Sequence, residues 1–291
     1  MTDPTTAILS SFSSELAGLV AKAAPAIVSV HSHRARASGF VWKPGLVVTA
    51  DEALADEGEV SIKSADGTAH PATIVGRDHT TDIALLRFDA PNIAPATLSH
   101  RVPALGSLAI VVAAARGGPS AALGMVSLAG GRWRSLRGGE IDARIELDVR
   151  LHHSQQGGLA LDPSGEAIGM AVLGPRRVII IPAATIERVA ARLESHGRIA
   201  RGYLGVGLQA VKLDDGVGGM VMSVDKTGPS AAADIRQGDV IVGWNGEKLA
   251  GVRPLLRALG PDSIGSVVEL TVQRGGEPMR LKLTIGERPE K

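Results

Sequence analysis

The sequence predicts a mainly β protein: barrel-type sheets first, then a smaller domain that mixes strands with short helices. Three observations carry that reading. Between Ala26 and Ile181 lie eleven short apolar or alternating runs with no helical spacing among them, and such a succession of short strands is what barrels are built from. The chain holds 36 Gly and 16 Pro in 291 residues, and these residues supply the tight turns that join such strands. A helical stretch after Ile181 then separates the first set of strands from a second, and the length itself suits about two domains.

In chain order, Phe12, Leu16, Leu19, Val20 and Ala23 recur at helical spacing and stop before Pro25, so residues 10–24 read as a helix. The β runs follow at 26–30, 39–42, 46–49, 60–63, 72–75, 83–88, 108–113, 122–128, 143–148, 167–172 and 178–181. Turn signals such as Pro44-Gly45, Asp66-Gly67 and Pro163-Ser164-Gly165 punctuate them. Pro182 opens a helix with Ile186, Val189, Ala190 and Leu193 on one face, and Gly197 closes it. Beyond it, strands are expected near 204–211, 219–225, 240–244, 267–274 and 280–285, with short helices at 230–235 and 252–259. The resulting division is an N-terminal segment at 1–24, a barrel domain at 25–195, a linker at 196–202 and a second domain at 203–287.

Composition excludes several classes of function. Apolar residues make up 44% and charged residues 21%, as in ordinary globular domains, so chain-wide disorder is ruled out. With 31 basic and 30 acidic side chains the net charge is +1, and neither sign forms a long block. That argues against a dedicated nucleic-acid binder. The absence of cysteine removes disulfides, thiolate metal sites and a cysteine nucleophile. Residues 1–15 contain no Lys or Arg, Lys22 and Pro25 break the apolar stretch at 16–30, and no run approaches the ~18 apolar residues of a membrane span. A soluble chain without cofactor or metal is the expectation, cytoplasmic, or periplasmic if an N-terminal signal has been removed.

Several motifs, in order, carry a resemblance. They are Ala24-Pro25-Ala26-Ile27-Val28-Ser29-Val30, Ser38-Gly39-Phe40-Val41-Trp42, Leu46-Val47-Val48-Thr49 and Asp78-His79-Thr80-Thr81-Asp82-Ile83-Ala84-Leu85-Leu86. Then come Gly124-Met125-Val126-Ser127, Gly157-Gly158, Gly165-Glu166-Ala167-Ile168-Gly169, Arg201-Gly202-Tyr203-Leu204-Gly205-Val206 and Ile235-Arg236-Gln237-Gly238-Asp239-Val240-Ile241. With these, the chain resembles the HtrA/Deg family from Phe12 to Glu287. The resemblance implies a trypsin-like double six-stranded β-barrel followed by a PDZ domain, itself an α+β, partly open barrel. Fold alone does not fix function, so the site is read separately.

The family's chemistry is serine acyl transfer by a Ser-His-Asp triad. The resemblance places the Asp at Asp82, which is retained. It places Glu52 where the His belongs and Gln156 where the nucleophile belongs. Gln is no nucleophile, and a lone carboxylate does not replace an imidazole that accepts and returns a proton near neutral pH. The oxyanion-hole positions are Ser154, Gln155 and Gln156, with Ser154 standing where the family has Gly. A pseudoprotease is therefore expected. Glu52 and Asp82 should lie side by side, and neighbouring carboxylates repel unless one recruits a donor or a proton. Gln156 is expected to donate a hydrogen bond to Glu52.

Other groups have blander readings. His31 and His33 alternate along a strand and share a face, but a solvated strand end is favoured over a metal site. His152 and His153 read as loop histidines. Arg132, Arg134 and Arg137 around Trp133 read as a solvated loop rather than a nucleic-acid surface.

The PDZ part implied by the resemblance binds peptide C-termini by strand addition. Tyr203, Leu204, Gly205 and Val206 form the carboxylate loop, and Val206, Leu208, Leu255 and Leu259 are candidate groove walls. The leading expectation is a non-proteolytic binder of exposed peptides, C-termini or unfolded polypeptide, acting as an adaptor or chaperone. The alternatives are a serine endopeptidase of protein quality control and a regulatory subunit of an active paralogue. The family implies a homotrimer formed through the N-terminal segment around Phe12 and Val20.

Overall fold

The computed structural model describes residues 4–33, 35–56, 58–89, 93–116, 118–214 and 216–289. Two compact units emerge: residues 1–135 with 140–198, and residues 136–139 with 199–291.

In the first unit, helix α1 (Pro4–Ala23) reaches further toward the N-terminus than the expected start at Ser10. It ends at Ala23, and the chain then turns through Ala24–Ala26. Pro25 sits at the start of that turn, where its missing N–H is harmless. The strands β1 (Ile27–Ser32), β2 (Ala35–Lys43), β3 (Leu46–Thr49), β4 (Val60–Lys63), β5 (Ala69–Asp78) and β6 (Ile83–Phe88) follow. They close into a barrel in the order β1-β2-β3-β6-β5-β4, which leaves no free sheet edge. Val28 and Val30, then Val47, Ile62, Ala84 and Leu86, face one another in its core, at the period of two that alternation requires.

A second barrel begins with β7 (Leu108–Ala115) and β8 (Gly118–Gly130). A two-stranded pair, β9 (Trp133–Arg134) and β10 (Glu140–Ile141), interrupts it. The barrel is completed by β11 (Arg144–Leu147), β12 (Gly158–Leu161), β13 (Ala167–Leu173) and β14 (Val178–Pro182), in the closed order β11-β14-β13-β12-β7-β8. Strand β12 is absent from the eleven runs read in the sequence. All of its residues are buried, so it shows no alternation, and its Gly158 start reads as turn. Helix α2 (Ala183–His196) buries Ile186, Val189, Ala190 and Leu193, the face expected from their spacing, and the Gly197 N–H bonds to the Leu193 carbonyl at 2.8 Å.

The second unit pairs β15 (Gly202–Tyr203) with β22 (Gly286–Glu287). Its main sheet runs β16 (Val206–Leu213), β17 (Gly216–Val224), β18 (Val240–Trp244), β20 (Val267–Arg274), β21 (Glu277–Thr284), and β19 (Glu247–Lys248) pairs with β18. Helices α3 (Pro229–Ala232) and α4 (Val252–Ala258) complete it. Leu204, Val221, Ile241, Leu255, Leu270 and Leu283 fill the core.

A buried ion pair ties this unit together. Asp239 Oδ1 accepts from Arg274 Nε at 2.8 Å, and Oδ2 accepts from the Arg236 amide at 2.8 Å. The Arg274 hydrogen bond, opposed by burial, holds the Asp239 carboxyl below the usual carboxylate range. A carboxylate depressed on folding stabilises above its unfolded value, near pH 3.9, and that stability fades as pH falls through the folded value. Urea unfolding of the second unit should therefore weaken more below about pH 4 in the wild type than in Asp239→Asn. Equal acid sensitivity in the two proteins would refute this.

Candidate functional site

The first barrel supplies one wall of the site at the end of β3. There Asp51–Ala53 form a 3-10 turn that sends Asp51 inward, at 1% exposure, and leaves Glu52 exposed. The Asp51 carboxylate meets Arg77 Nε through one oxygen and His79 Nδ1 through the other. Arg77 also donates to the carbonyls of Asp51 and Ala55, each at 3.1 Å. Asp82, with φ of 59°, sits just before β6. Its Oδ1 accepts the backbone N–H of Glu52 at 2.7 Å, and its carbonyl accepts the Asp51 N–H at 3.3 Å. Glu52 and Asp82 are thus neighbours, and the donor that Asp82 has recruited is the Glu52 amide.

The facing wall is the segment between β11 and β12. His153–Gln155 make a 3-10 turn closed by a reciprocal cap: the Ser154 N–H points to His152 Nδ1 at 3.3 Å, and the His152 N–H donates to Gln155 Oε1 at 2.8 Å. The Gln155 N–H goes to the His152 carbonyl at 2.8 Å and the Gln156 N–H to the His153 carbonyl at 3.2 Å. Every N–H from Ser154 to Gln156 is therefore spent inside the turn. Ser38, buried in β2, anchors the segment: its N–H donates to the Gln156 carbonyl at 2.8 Å and its hydroxyl to the Ser154 carbonyl at 2.8 Å. Gly157 follows with φ of 89°, and a Cβ there would lie 2.0 Å from the Ser38 carbonyl oxygen. Only glycine fits that approach.

The expected hydrogen bond from Gln156 to Glu52 is not formed. Gln156 is buried at 5% exposure and held through its backbone, whereas Glu52 is exposed on its own turn. One further expectation changes. His33 lies past the end of β1 with φ of 51°, so it does not share a strand face with His31. His31 instead lies within 3.1 Å of the Ser29 hydroxyl. Around Trp133, Arg132 pairs with Glu140 at 2.9 Å and Arg134 with the same carboxylate at 3.6 Å, while the Arg144 guanidinium stacks 4.7 Å from the indole. Among the described residues there is no cluster of three or more metal-ligating side chains.

In the second unit, Tyr203, Leu204, Gly205 and Val206 lead into β16. Gly205 has φ of 79° and abuts Gly228, so a side chain there is excluded on both counts. The Gly205 carbonyl accepts from Asp225 at 2.8 Å and the Leu204 carbonyl from Ser230 at 2.9 Å. The amides of Leu204 and Gly205 donate to no acceptor among the described residues. Tyr203 donates to Asp225 at 3.0 Å, and burial followed by that bond pushes its phenol above the usual range. Leu208 on β16 and Val252 on α4 approach Gly219, while Leu255 and Leu259, expected as groove walls, belong to the buried core against which Val206 and Leu208 pack.

Sequence reasoning misses the roles of Asp51, Arg77, His79 and Ser38. Their partners are remote along the chain, and only the pairing of Thr49 with Ala84 across β3 and β6 brings Asp51 to the β5–β6 turn. That register is the signal that could reveal the Asp51 contacts, whereas Ser38 meets Ser154, Gln156 and Ala114 only once β2 faces the second barrel.

Comparisons agree with this architecture. A trypsin-like peptidase domain model matches residues 37–170, and a PDZ domain model matches residues 202–285. The chain is 31% identical over 275 residues to a probable periplasmic serine endoprotease, DegP-like, of Brucella suis biovar 1, covering 88% of this chain and 53% of the relative. A protein of the same name from Bartonella henselae is 30% identical over 287 residues, covering 89% and 55%. The chain thus spans about half the length of these curated relatives. Among solved structures, the HtrA-type protease AlgW with a decapeptide matches with a TM-score of 0.72 and 22% identity, over 94% of this chain and 99% of that one. A serine endoprotease from Yersinia pestis matches with a TM-score of 0.71 and 24% identity, over 94% and 98%. At these identities the structures speak to the fold.

Proposed function

Because the chain belongs to the HtrA/Deg family, we propose that it keeps the family's scaffold while giving up peptide-bond cleavage, and that it works by binding polypeptide C-termini in the groove between β16 and α4. One observation carries the non-catalytic part: the amides of Ser154 and Gln156 are both consumed within the turn that precedes Gly157. An oxyanion needs donors aimed at it before the charge develops, and no such donor is left where the family would use one. Glu52 and Gln156 at the other two positions remove base and nucleophile as well.

The binding part rests on the unpaired amides of Leu204 and Gly205 at the start of β16, beside the partly buried Val206 and Leu208. Backbone N–H groups in that arrangement suit a terminal carboxylate, and strand addition along β16 suits the residues before it. A free-acid peptide should bind at least about tenfold more tightly than its amide, since hydrogen bonds to a charged group contribute ~1.5–3 kcal/mol. Calorimetry with one peptide in both forms tests this, and equal affinities would reject the groove assignment.

The names of the curated relatives favour the other reading, an active endoprotease. The residues at 52, 154 and 156 weigh against it, and casein degradation separates the two. The same names point to the periplasm rather than the expected cytoplasm, so a periplasmic location belongs to the proposal; among the described residues no helix is long and apolar enough to cross a membrane. Assembly through α1, where Ile8, Leu9 and Phe12 are exposed, completes the reading. Light scattering should report an oligomer that Phe12→Asp converts to monomer; a wild-type monomer at micromolar concentration would reject it.

A further inference from the structure

The first unit holds an open cavity of about 1070 Å³ beside the loop that ends in Gln156. Arg36 on β2, Lys63 at the end of β4 and Arg116 just past β7 reach its rim, and His152 and His153 border it from the loop. None of the three cationic chains is in an ion pair among the described residues. Asp66 supplies the cavity's negative charge, and it is already engaged in its own turn by the Ser64 hydroxyl at 2.6 Å and the Thr68 N–H at 2.9 Å. The excess of positive charge is felt inside the wall: burial first, then Arg36 and Lys63, hold the His31 imidazole below its usual range.

Like charges gathered without counter-charges repel, and a bound anion relieves that repulsion. The cavity is larger than a small-molecule site of ~300–1,000 Å³, so a single phosphate or carboxylate ion would leave it mostly unfilled. An extended run of several residues suits its size and its open side. Guanidinium groups pair with carboxylates through two parallel hydrogen bonds, and two of the three unpaired cations are arginines.

We propose that this cavity binds an acidic, Asp/Glu-rich stretch of polypeptide through Arg36, Lys63 and Arg116. The site is separate from the groove beside β16 and does not depend on it.

The test uses the full chain and a fluorescent, C-terminally amidated peptide rich in Glu, with a Gln counterpart of equal length. Amidation removes the free carboxylate, so failure of the C-terminal groove would leave this measurement untouched. Fluorescence anisotropy should show saturable binding of the Glu peptide, about tenfold weaker binding of the Gln peptide, and weakening as salt rises. Arg36→Ala combined with Arg116→Ala should cost about tenfold with an unchanged melting temperature; Lys63→Gln, which touches only an exposed chain, should cost about threefold and serves if the double variant fails to fold. Equal binding of the two peptides, or binding indifferent to these substitutions, overturns the proposal. So does binding of tripolyphosphate without binding of the Glu peptide, which would assign the cavity to a phosphate ligand.

Discussion

Gln156→Ser alone is expected to leave the chain without endopeptidase activity. Nucleophile and base act as a unit, and loss of either typically costs ~10⁶ in turnover, so restoring the hydroxyl while Glu52 stands at the base position gains nothing measurable. Adding Glu52→His rebuilds the proton path but not the oxyanion hole, where a missing donor costs ~10²–10³. The Ser154 N–H still points to His152, and the Gln156 N–H still points to the His153 carbonyl. Only Glu52→His, Ser154→Gly and Gln156→Ser together restore all three roles, with Gly able to turn its amide outward. Casein degradation and labelling by a fluorophosphonate should be at background for the wild type and for Gln156→Ser, and should rise about a hundredfold or more in the triple variant. Wild-type labelling that disappears in Ser154→Ala would show that the native loop is catalytic after all.

The difference between what sequence shows and what it hides follows from how far each interaction reaches along the chain. The buried face of α2 is legible because Ile186, Val189, Ala190 and Leu193 are local and periodic. The closure of two barrels is legible because turn residues separate short strands and because the motifs resembling a known family stand in order. Strand β12 is hidden because burial on both faces erases alternation. The positions of Glu52 and Gln156 are legible by alignment of motifs, but the relation between them is not. Gln156 is committed through its backbone to Ser38, from β2, and to the 3-10 turn before it, and nothing in the identity of a Gln announces that. The Asp51 pairings are hidden for the same reason, since the partners approach only once β3 and β6 are in register.

Asp51 carries the largest expected stability effect near the site. Its carboxylate is 1% exposed, and Arg77, with its side chain 16% exposed, has besides it the solvent-exposed Asp56 carboxylate at 3.7 Å, which screening makes a weak substitute. Removing one partner of a buried pair leaves the other charge desolvated without its close counter-charge, which typically costs ~3–5 kcal/mol. In a unit of this size each kcal/mol shifts the melting temperature by about 2–4 °C, so Asp51→Ala should lower it by roughly 10 °C. Asp51→Asn keeps a hydrogen-bond acceptor for Arg77 but not the charge, so its loss should be smaller. His79 is 60% exposed, so water replaces its contact and His79→Ala should change stability by under about 1 kcal/mol. A shift below about 2 °C for Asp51→Ala would mean that Arg77 finds water or another acceptor in the variant. The expected loss would instead show that the turn presenting Glu52 beside Asp82 is held in place by the buried pairing of Asp51 with Arg77.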